Sequence, residues 1–243
     1  MRVSMRHLAG RVWWYPHDED HDNVQAGVAV IADDAGSVVV DAGNSPRAAR
    51  RVQAAMEAAG LPPARQLVYT HHHWDHVWGA CAWPGVEIVG HRAGARILAA
   101  EAQRPWSHQY LRDEVDANPR LGPSFRARAW AMPSWEGFAI IPPQVEFDDA
   151  LTLPSGVELR HLGGRHAEDS TVVGVPDSGV LLLGDCFYPP PFHLREPDDG
   201  YAVDLIERLL DKAEFGGYEW YVDSHHHPRT SHGLRELLGS EPG

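Results

Sequence analysis

Between Thr70 and Gly79 the chain reads Thr-His-His-His-Trp-Asp-His-Val-Trp-Gly, which sets four histidines and an aspartate into six consecutive positions. Imidazole nitrogens and carboxylate oxygens are the ligands that borderline divalent metals prefer. The pattern His71-x-His73-x-Asp75-His76 follows an apolar run, Gln66-Leu67-Val68-Tyr69-Thr70, which reads as a buried strand. A tight loop leaving a strand end can aim alternate side chains at one point while the rest splay elsewhere. Four potential ligands in six residues exceed what a single tetrahedral ion takes from one short loop. The spacing therefore points to two ions, each drawing further ligands from distant sequence. The competing reading is a solvated surface run, since the chain carries 16 histidines. Interruption by Trp74 and Asp75 and attachment to a strand speak against that reading and against a purification tag.

Three further candidates each follow an apolar run. His166 lies in Gly163-Gly164-Arg165-His166, after the strand-like Val157 to His161. Asp185 ends Val180-Leu181-Leu182-Leu183-Gly184, and His225 follows Trp220-Tyr221-Val222-Asp223-Ser224. Taken singly, a Gly-Asp after a strand is an ordinary turn and a lone histidine an ordinary surface residue. Taken together, their positions past strand ends would project all of them from one edge of a layered sheet.

In this order of motifs the chain resembles the metallo-β-lactamase superfamily, from about Gly27 to His225. The resemblance implies an α/β (α+β) fold, a four-layer αβ/βα sandwich formed by a single domain over residues 1–243. It also implies that His71, His73 and His166 hold one metal, that Asp75, His76 and His225 hold a second, and that Asp185 bridges them. Val38-Val39-Val40-Asp41-Ala42-Gly43 is similar to the family's early strand ending in Asp-x-Gly, with Asp41 orienting the ligands from behind. In Ser224-His225-His226-His227 the resemblance favours His225, with His226 as the alternative.

Composition agrees with such a domain. A chain of 243 residues can bury a sizeable core. Against 34 acidic residues stand 21 Lys plus Arg, a formal charge of −13, and no block of basic residues occurs. Phosphate binding depends on basic patches, so nucleic-acid partners are disfavoured and a small-molecule substrate is expected. Two cysteines, Cys81 and Cys186, are too few for a disulfide framework. Met1 to Gly10 lacks the apolar stretch of a signal peptide, and no apolar run is long enough to cross a membrane, so a cytoplasmic protein without membrane partners is expected. Nothing in the sequence fixes the oligomeric state.

The elements that must position these residues are legible in outline. Val24 to Ala32 and Ser37 to Asp41 read as a hairpin around Asp33-Asp34-Ala35-Gly36. Ser45-Pro46 opens a helix running from Arg47 to Ala59, with Ser45 as its cap. Val86 to Val89 reads as a strand and Ala93 to Ala102 as a helix. From about Gln103 to Pro143, prolines recur and Trp106, Trp130 and Trp135 follow no clear period. That segment is expected to be a lid-like insertion whose tryptophans line an apolar substrate pocket, or else a packed surface excursion. Strands follow at Val145 to Phe147, Leu151 to Leu153, Val157 to His161, Thr171 to Val175 and Val180 to Gly184. A helix around Asp204 to Leu210, a strand from Glu219 to Val222, and a short helix capped by Ser231 complete the chain.

The chemistry implied is hydrolysis. A water shared by two divalent ions, zinc first and iron or manganese as alternatives, ionises near neutral pH, with a pKa near 7 against about 15.7 in bulk. No serine or cysteine nucleophile is then needed, and Asp75 becomes the candidate catalytic carboxylate. The substrate would be a small ester, thioester, lactone or amide. Thr70 to His76 is similar to the loop of glyoxalase II, the hydroxyacylglutathione hydrolases. Only eighteen residues follow His225, however, leaving no room for the helical domain that helps bind glutathione there. No basic anchor for a substrate carboxylate is evident. Tyr188 and His193, just past Asp185, are candidate substrate contacts, with loop packing around three prolines as the alternative. The other functional readings are a mononuclear iron oxidoreductase of the persulfide dioxygenase type and a non-catalytic binding protein.

Overall fold

Alternate residues of the central strands bury on opposite faces, and this sets the architecture. In the computed structural model, which describes residues 3–239, Val28 and Val30 face one apolar core while Ala29 and Ile31 face another. Val39 likewise opposes Val38 and Val40, and Leu181 and Leu183 oppose Val180 and Leu182. A strand buried on both sides loses the polar alternation of a half-exposed one and reads as a continuous Val/Leu run.

In chain order the elements are β1 (Arg6–Ala9), β2 (Val12–Tyr15), β3 (Val28–Ile31), β4 (Ser37–Val40), α1 (Pro46–Ala58), β5 (Ala64–Val68), α2 (Trp74–Val77), β6 (Glu87–His91) and α3 (Arg92–Glu101). Then come α4 (His108–Ala117), α5 (Gly122–Ala131), β7 (Val145–Phe147), β8 (Ala150–Thr152), β9 (Glu158–His161), β10 (Thr171–Val175) and β11 (Val180–Gly184). The chain closes with α6 (Val203–Leu210), α7 (Lys212–Phe215), β12 (Trp220–Asp223), β13 (Arg229–Thr230) and α8 (Ser231–Glu236). One sheet runs β1-β2-β3-β4-β5-β6-β7 and the other β13-β12-β11-β10-β9-β8. The core between them joins Val40, Val68 and Val89 to Leu159, Val173 and Leu182. Outside the first sheet, α1 and α3 pack with Val52, Met56 and Leu98. Outside the second, α6 and α8 pack with Leu205, Ile206, Leu209 and Leu234. The result is the expected four-layer helix–sheet–sheet–helix sandwich; the ends of the expected domain, residues 1–2 and 240–243, lie outside the described range.

Several expectations need correction. The first sheet begins with a hairpin, β1–β2, that the sequence reading left out. β7 pairs in parallel with β6 and so closes the first sheet rather than opening the second. The cap of α8 is Thr230, whose side chain accepts from Gly233 N, not Ser231. Ser45 caps α1 as expected, accepting from Ala48 N, with Pro46 in the first turn. The segment 103–143 is not irregular: it holds α4 and α5, and Trp106 and Trp135 pack at 4.9 and 5.5 Å from the Trp78 ring. Trp130 points to solvent at 72% exposure. Among the described residues no helix is long and apolar enough to cross a membrane.

The positioning of the site follows from strand direction. β4 and β5 are parallel, as are β11 and β12, so the loops leaving each pair emerge at one end. The two sheets are joined there by Thr171 N donating to Thr70 O at 2.8 Å and Gly27 N to Ser224 O at 2.6 Å. Gly184, at φ +54, sits where a Cβ would lie 2.7 Å from that of Thr70. Only glycine lets the two loops approach this closely. Gly79 does the same for α2: a Cβ there would fall 2.1 Å from Ala42 O, and Gly79 N donates to Gly43 O.

Candidate metal centre

The loop after β5 turns at once into α2, and its histidines diverge. His71 and His76 go inward, with 1% and 0% exposure, whereas His72 turns aside and donates through Nδ1 to Asp169 at 2.7 Å. His71 Nε2 lies 2.9 Å from His73 Nδ1, which lies 2.9 Å from His166 Nε2. His166 arrives from the β9–β10 loop, which is closed by Leu162 N and Gly163 N donating to Ser170 O. Beside this trio, Asp75 Oδ2 lies 3.3 Å from His76 Nε2 and 3.2 Å from His225 Nε2. Asp185 Oδ2 lies 3.4 Å from His76, 3.3 Å from His225 and 3.5 Å from His166, so it touches both groups. All seven sequence-predicted residues are therefore brought together, as one group of three and one of four that could each hold a metal ion.

The histidine triplet after β12 splits three ways. His225 turns into the cluster. His226 Nδ1 lies 3.0 Å from Asp223 Oδ1 and 2.7 Å from Tyr188 Oη, away from it. His227 packs against Trp14 and His17. Asp223 anchors the turn: it accepts from His225 N and His226 N and pairs with Arg229 at 2.5 Å. Of the two expected substrate contacts, Tyr188 has its hydroxyl committed, donating to Asp223 Oδ1 at 2.7 Å. Only its ring remains toward the cavity. His193 lines the cavity with a buried Nδ1 that has no partner.

Partners behind the cluster fix the imidazole tautomers. His76 Nδ1–H donates to Asp41 Oδ2 at 2.7 Å, which turns Nε2 inward. His166 Nδ1–H donates to Pro189 O, which can only accept. Thr70 Oγ1 gives its one proton to Asp41, so at 3.1 Å it accepts from His71 Nδ1–H. In His71, His76 and His166 the partner behind the ring thereby selects the inward nitrogen as the one a metal would take. Asp41 does this from a left-handed backbone at φ +66, a strained conformation for a non-glycine residue and one found at functional sites.

The charges of the two groups differ. Burial, reinforced by His76 and His73, holds His71 well below the ordinary histidine value, and burial with His166 does the same to His73. Burial lowers His166 too. In the second group burial works against charge on His76, but Asp75, Asp41 and Asp185 outweigh it and raise its pKa well above the ordinary value. His225 is raised against burial to about 10 by Asp185 and Asp75. Burial alone would raise both carboxylates; the facing His76 and His225 instead hold Asp75 and Asp185 far below the usual range. One group is thus three neutral nitrogen donors, the other two carboxylates against two imidazoles. His76 Nε2 and Asp185 Oδ1 are buried with no hydrogen-bond partner. Buried polar atoms without partners are rare, and here they complete a nitrogen–oxygen donor set that fits divalent cations. Cys186 packs into the core beneath Asp185 and its thiol is pushed up by burial, so it is no donor here.

The clusters open into a cavity of about 830 Å³, walled by Trp74, Trp78, Trp106, Phe125 and Ile140. Of the three tryptophans in segment 103–143 only Trp106 lines it. The expectation that no basic group serves the pocket also needs correction, because Arg128 of α5 is in the wall. Asp41→Asn, which keeps a residue tolerant of left-handed backbone, is expected to weaken metal binding by about 10- to 100-fold. Chelator competition reads that loss, and circular dichroism checks that the fold persists.

Comparison with known proteins fits this geometry. No curated protein sequence matches the chain. A metallo-β-lactamase of Hirschia baltica is 19% identical with a TM-score of 0.67, covering 98% of this chain and 97% of that one. One of Erythrobacter litoralis, with β-mercaptoethanol in its active site, is 17% identical with a TM-score of 0.65 over 98% and 95% of the two chains. FIM-1 of Pseudomonas aeruginosa in its mono-zinc form is 16% identical with a TM-score of 0.66 over 98% and 94%. At these identities the likeness is one of fold. The sequence pattern described as the metallo-beta-lactamase superfamily, however, matches residues 22–228 directly, and the chain belongs to that superfamily.

Proposed function

We propose that the protein is a binuclear metal-dependent hydrolase, with zinc as the metal, acting on a small ester, thioester, lactone or amide. The observation that carries this reading is the convergence of two complete ligand groups around the shared Asp185. Divalent ions bound there would supply a water that ionises near neutral pH and a Lewis acid for the scissile carbonyl. His71, His73 and His166 would hold one ion, Asp75, His76 and His225 the other, with Asp185 between them. Asp75, which faces His76 and His225, would hold the second ion and accept a hydrogen bond from the attacking water. The aromatic wall keeps bulk water from the acyl group, and α4 and α5 act as its lid.

The test is a screen of esters, thioesters, lactones, β-lactams and phosphoesters against the zinc-loaded protein. Hydrolysis of an acyl compound, lost on chelation and restored by zinc, is the expected result. Oxygen consumption on a persulfide with iron bound, and no hydrolysis, would overturn the proposal in favour of the dioxygenase reading.

A further inference from the structure

His71, His76 and His166 each have a partner behind the ring, whereas His225 has none. Among the described residues no hydrogen bond reaches its Nδ1, and its side chain is 25% exposed. A metal-binding imidazole is ordinarily oriented by a bond to its other nitrogen. The direction of this one comes instead from its backbone.

That backbone is held by Asp223. The parallel ladder of β11 and β12 ends with Gly184 opposite Asp223. Asp185 leaves one strand directly after this pair, and His225 leaves the other two residues after it. Asp223 Oδ1 accepts from His225 N at 3.1 Å and from His226 N at 2.9 Å, which closes the turn. By itself this is an ordinary turn built on an aspartate. A bond from the neighbouring turn makes it a tie. Tyr188 belongs to the turn of Asp185, its N donating to Asp185 O at 2.9 Å, and its hydroxyl donates to the same Asp223 Oδ1 at 2.7 Å. With that proton given away, Tyr188 Oη accepts from His226 Nδ1–H at 2.7 Å. Arg229 Nη1 donates to the other carboxylate oxygen, Oδ2, and balances the charge of a side chain only 2% exposed. Past the end of the ladder, one buried carboxylate thus joins the turns that deliver Asp185 and His225.

We infer that Asp223, tied to Tyr188, is a positioning residue for the ion that Asp75, His76, Asp185 and His225 would hold, and that it acts through the backbone of His225. Breaking the tie leaves Asp75 and His76 where α2 puts them but frees His225 to turn away. That ion is then held more weakly, while the ion of His71, His73 and His166 is not. The inference rests on the binuclear reading, but its test needs no turnover.

Cobalt(II) is the probe, since its visible absorption follows the donor set around the ion. Metal-free wild type, Tyr188→Phe and Asp223→Asn are titrated with it at neutral pH, and their thermal melting is recorded alongside. The ion of the mixed carboxylate–imidazole group is expected to bind about 10- to 100-fold more weakly in Asp223→Asn, with its bands shifted. In Tyr188→Phe, which keeps the ring and loses only the hydroxyl, the loss is about 2- to 10-fold. The ion of the three-histidine group keeps its affinity and bands in both variants. Equal weakening of both ions overturns the inference, as does a lowered melting temperature with both affinities unchanged. Should Asp223→Asn not fold, Tyr188→Phe decides alone. If the wild type takes up a single cobalt, the binuclear reading fails, and nitrogen-15 spectra of the imidazole rings in the metal-free proteins decide instead. His225 resonances displaced in Tyr188→Phe, with those of His71 and His76 unmoved, support the positioning role; unmoved His225 resonances overturn it.

Discussion

Asp75→Ala is expected to lower the hydrolysis rate of the metal-loaded protein by about three orders of magnitude, with the fold retained. Asp75 is buried at 6% exposure and places Oδ2 against both His76 and His225. Truncation removes a donor of the second group and the acceptor that orients the attacking water. The fold should survive because α2 is fastened by its backbone, through Ala42 N to His76 O and Gly79 N to Gly43 O, not by this side chain. Asp185 also remains opposite His76 and His225 to balance their charge. Circular dichroism and thermal melting check the fold, and single-turnover kinetics check the chemistry. Wild-type turnover in the variant would refute the role assigned to Asp75.

The second large effect is on pH. In the metal-free protein His76 and His225 titrate above the ordinary histidine value, His225 at about 10, so both are protonated at neutral pH. A cation entering the second group must displace both protons. Below their pKa values, each displaced proton lowers apparent affinity tenfold per pH unit, so the second ion is expected to bind up to about 100-fold more weakly for each unit the pH falls. His71, His73 and His166 titrate below the ordinary value and are already neutral at pH 7, so the first ion should show almost no such slope there. Acidification from neutrality therefore removes the second ion first. Calorimetric titration in buffers of different ionisation enthalpy counts the protons directly: about two for the second ion and none for the first. Equal proton release by both ions would contradict this electrostatic asymmetry.

The site was unusually legible in the sequence because its residues follow strands buried on both faces. Such strands write themselves as Val and Leu runs, and a polar residue at their ends is conspicuous: Asp41 after Val38-Val39-Val40, Asp185 after Leu181-Leu182-Leu183. The choice between His225 and His226 is favoured by the family order. What separates them physically is the hydrogen bonding of His226 to Asp223 and Tyr188, which no local pattern displays. The β1–β2 hairpin was missed because β1 is largely exposed, so the short buried β2 had no legible partner strand beside it. The helices of segment 103–143 were hidden for a different reason. α5 buries Phe125, Ala127 and Ala131 while exposing Trp130, so its apolar residues form no single stripe. Arg128 was missed with it, since an arginine among aromatic residues has no spacing that reveals a cavity wall.

The central claim is that side chains from four separate loops converge on two cations. Metal quantification on protein purified without added metal, for wild type, His166→Ala and His225→Ala, tests it most directly. The account predicts about two zinc ions per wild-type chain and about one in each variant. One iron per chain in the wild type, or a metal content unchanged by either substitution, would contradict it.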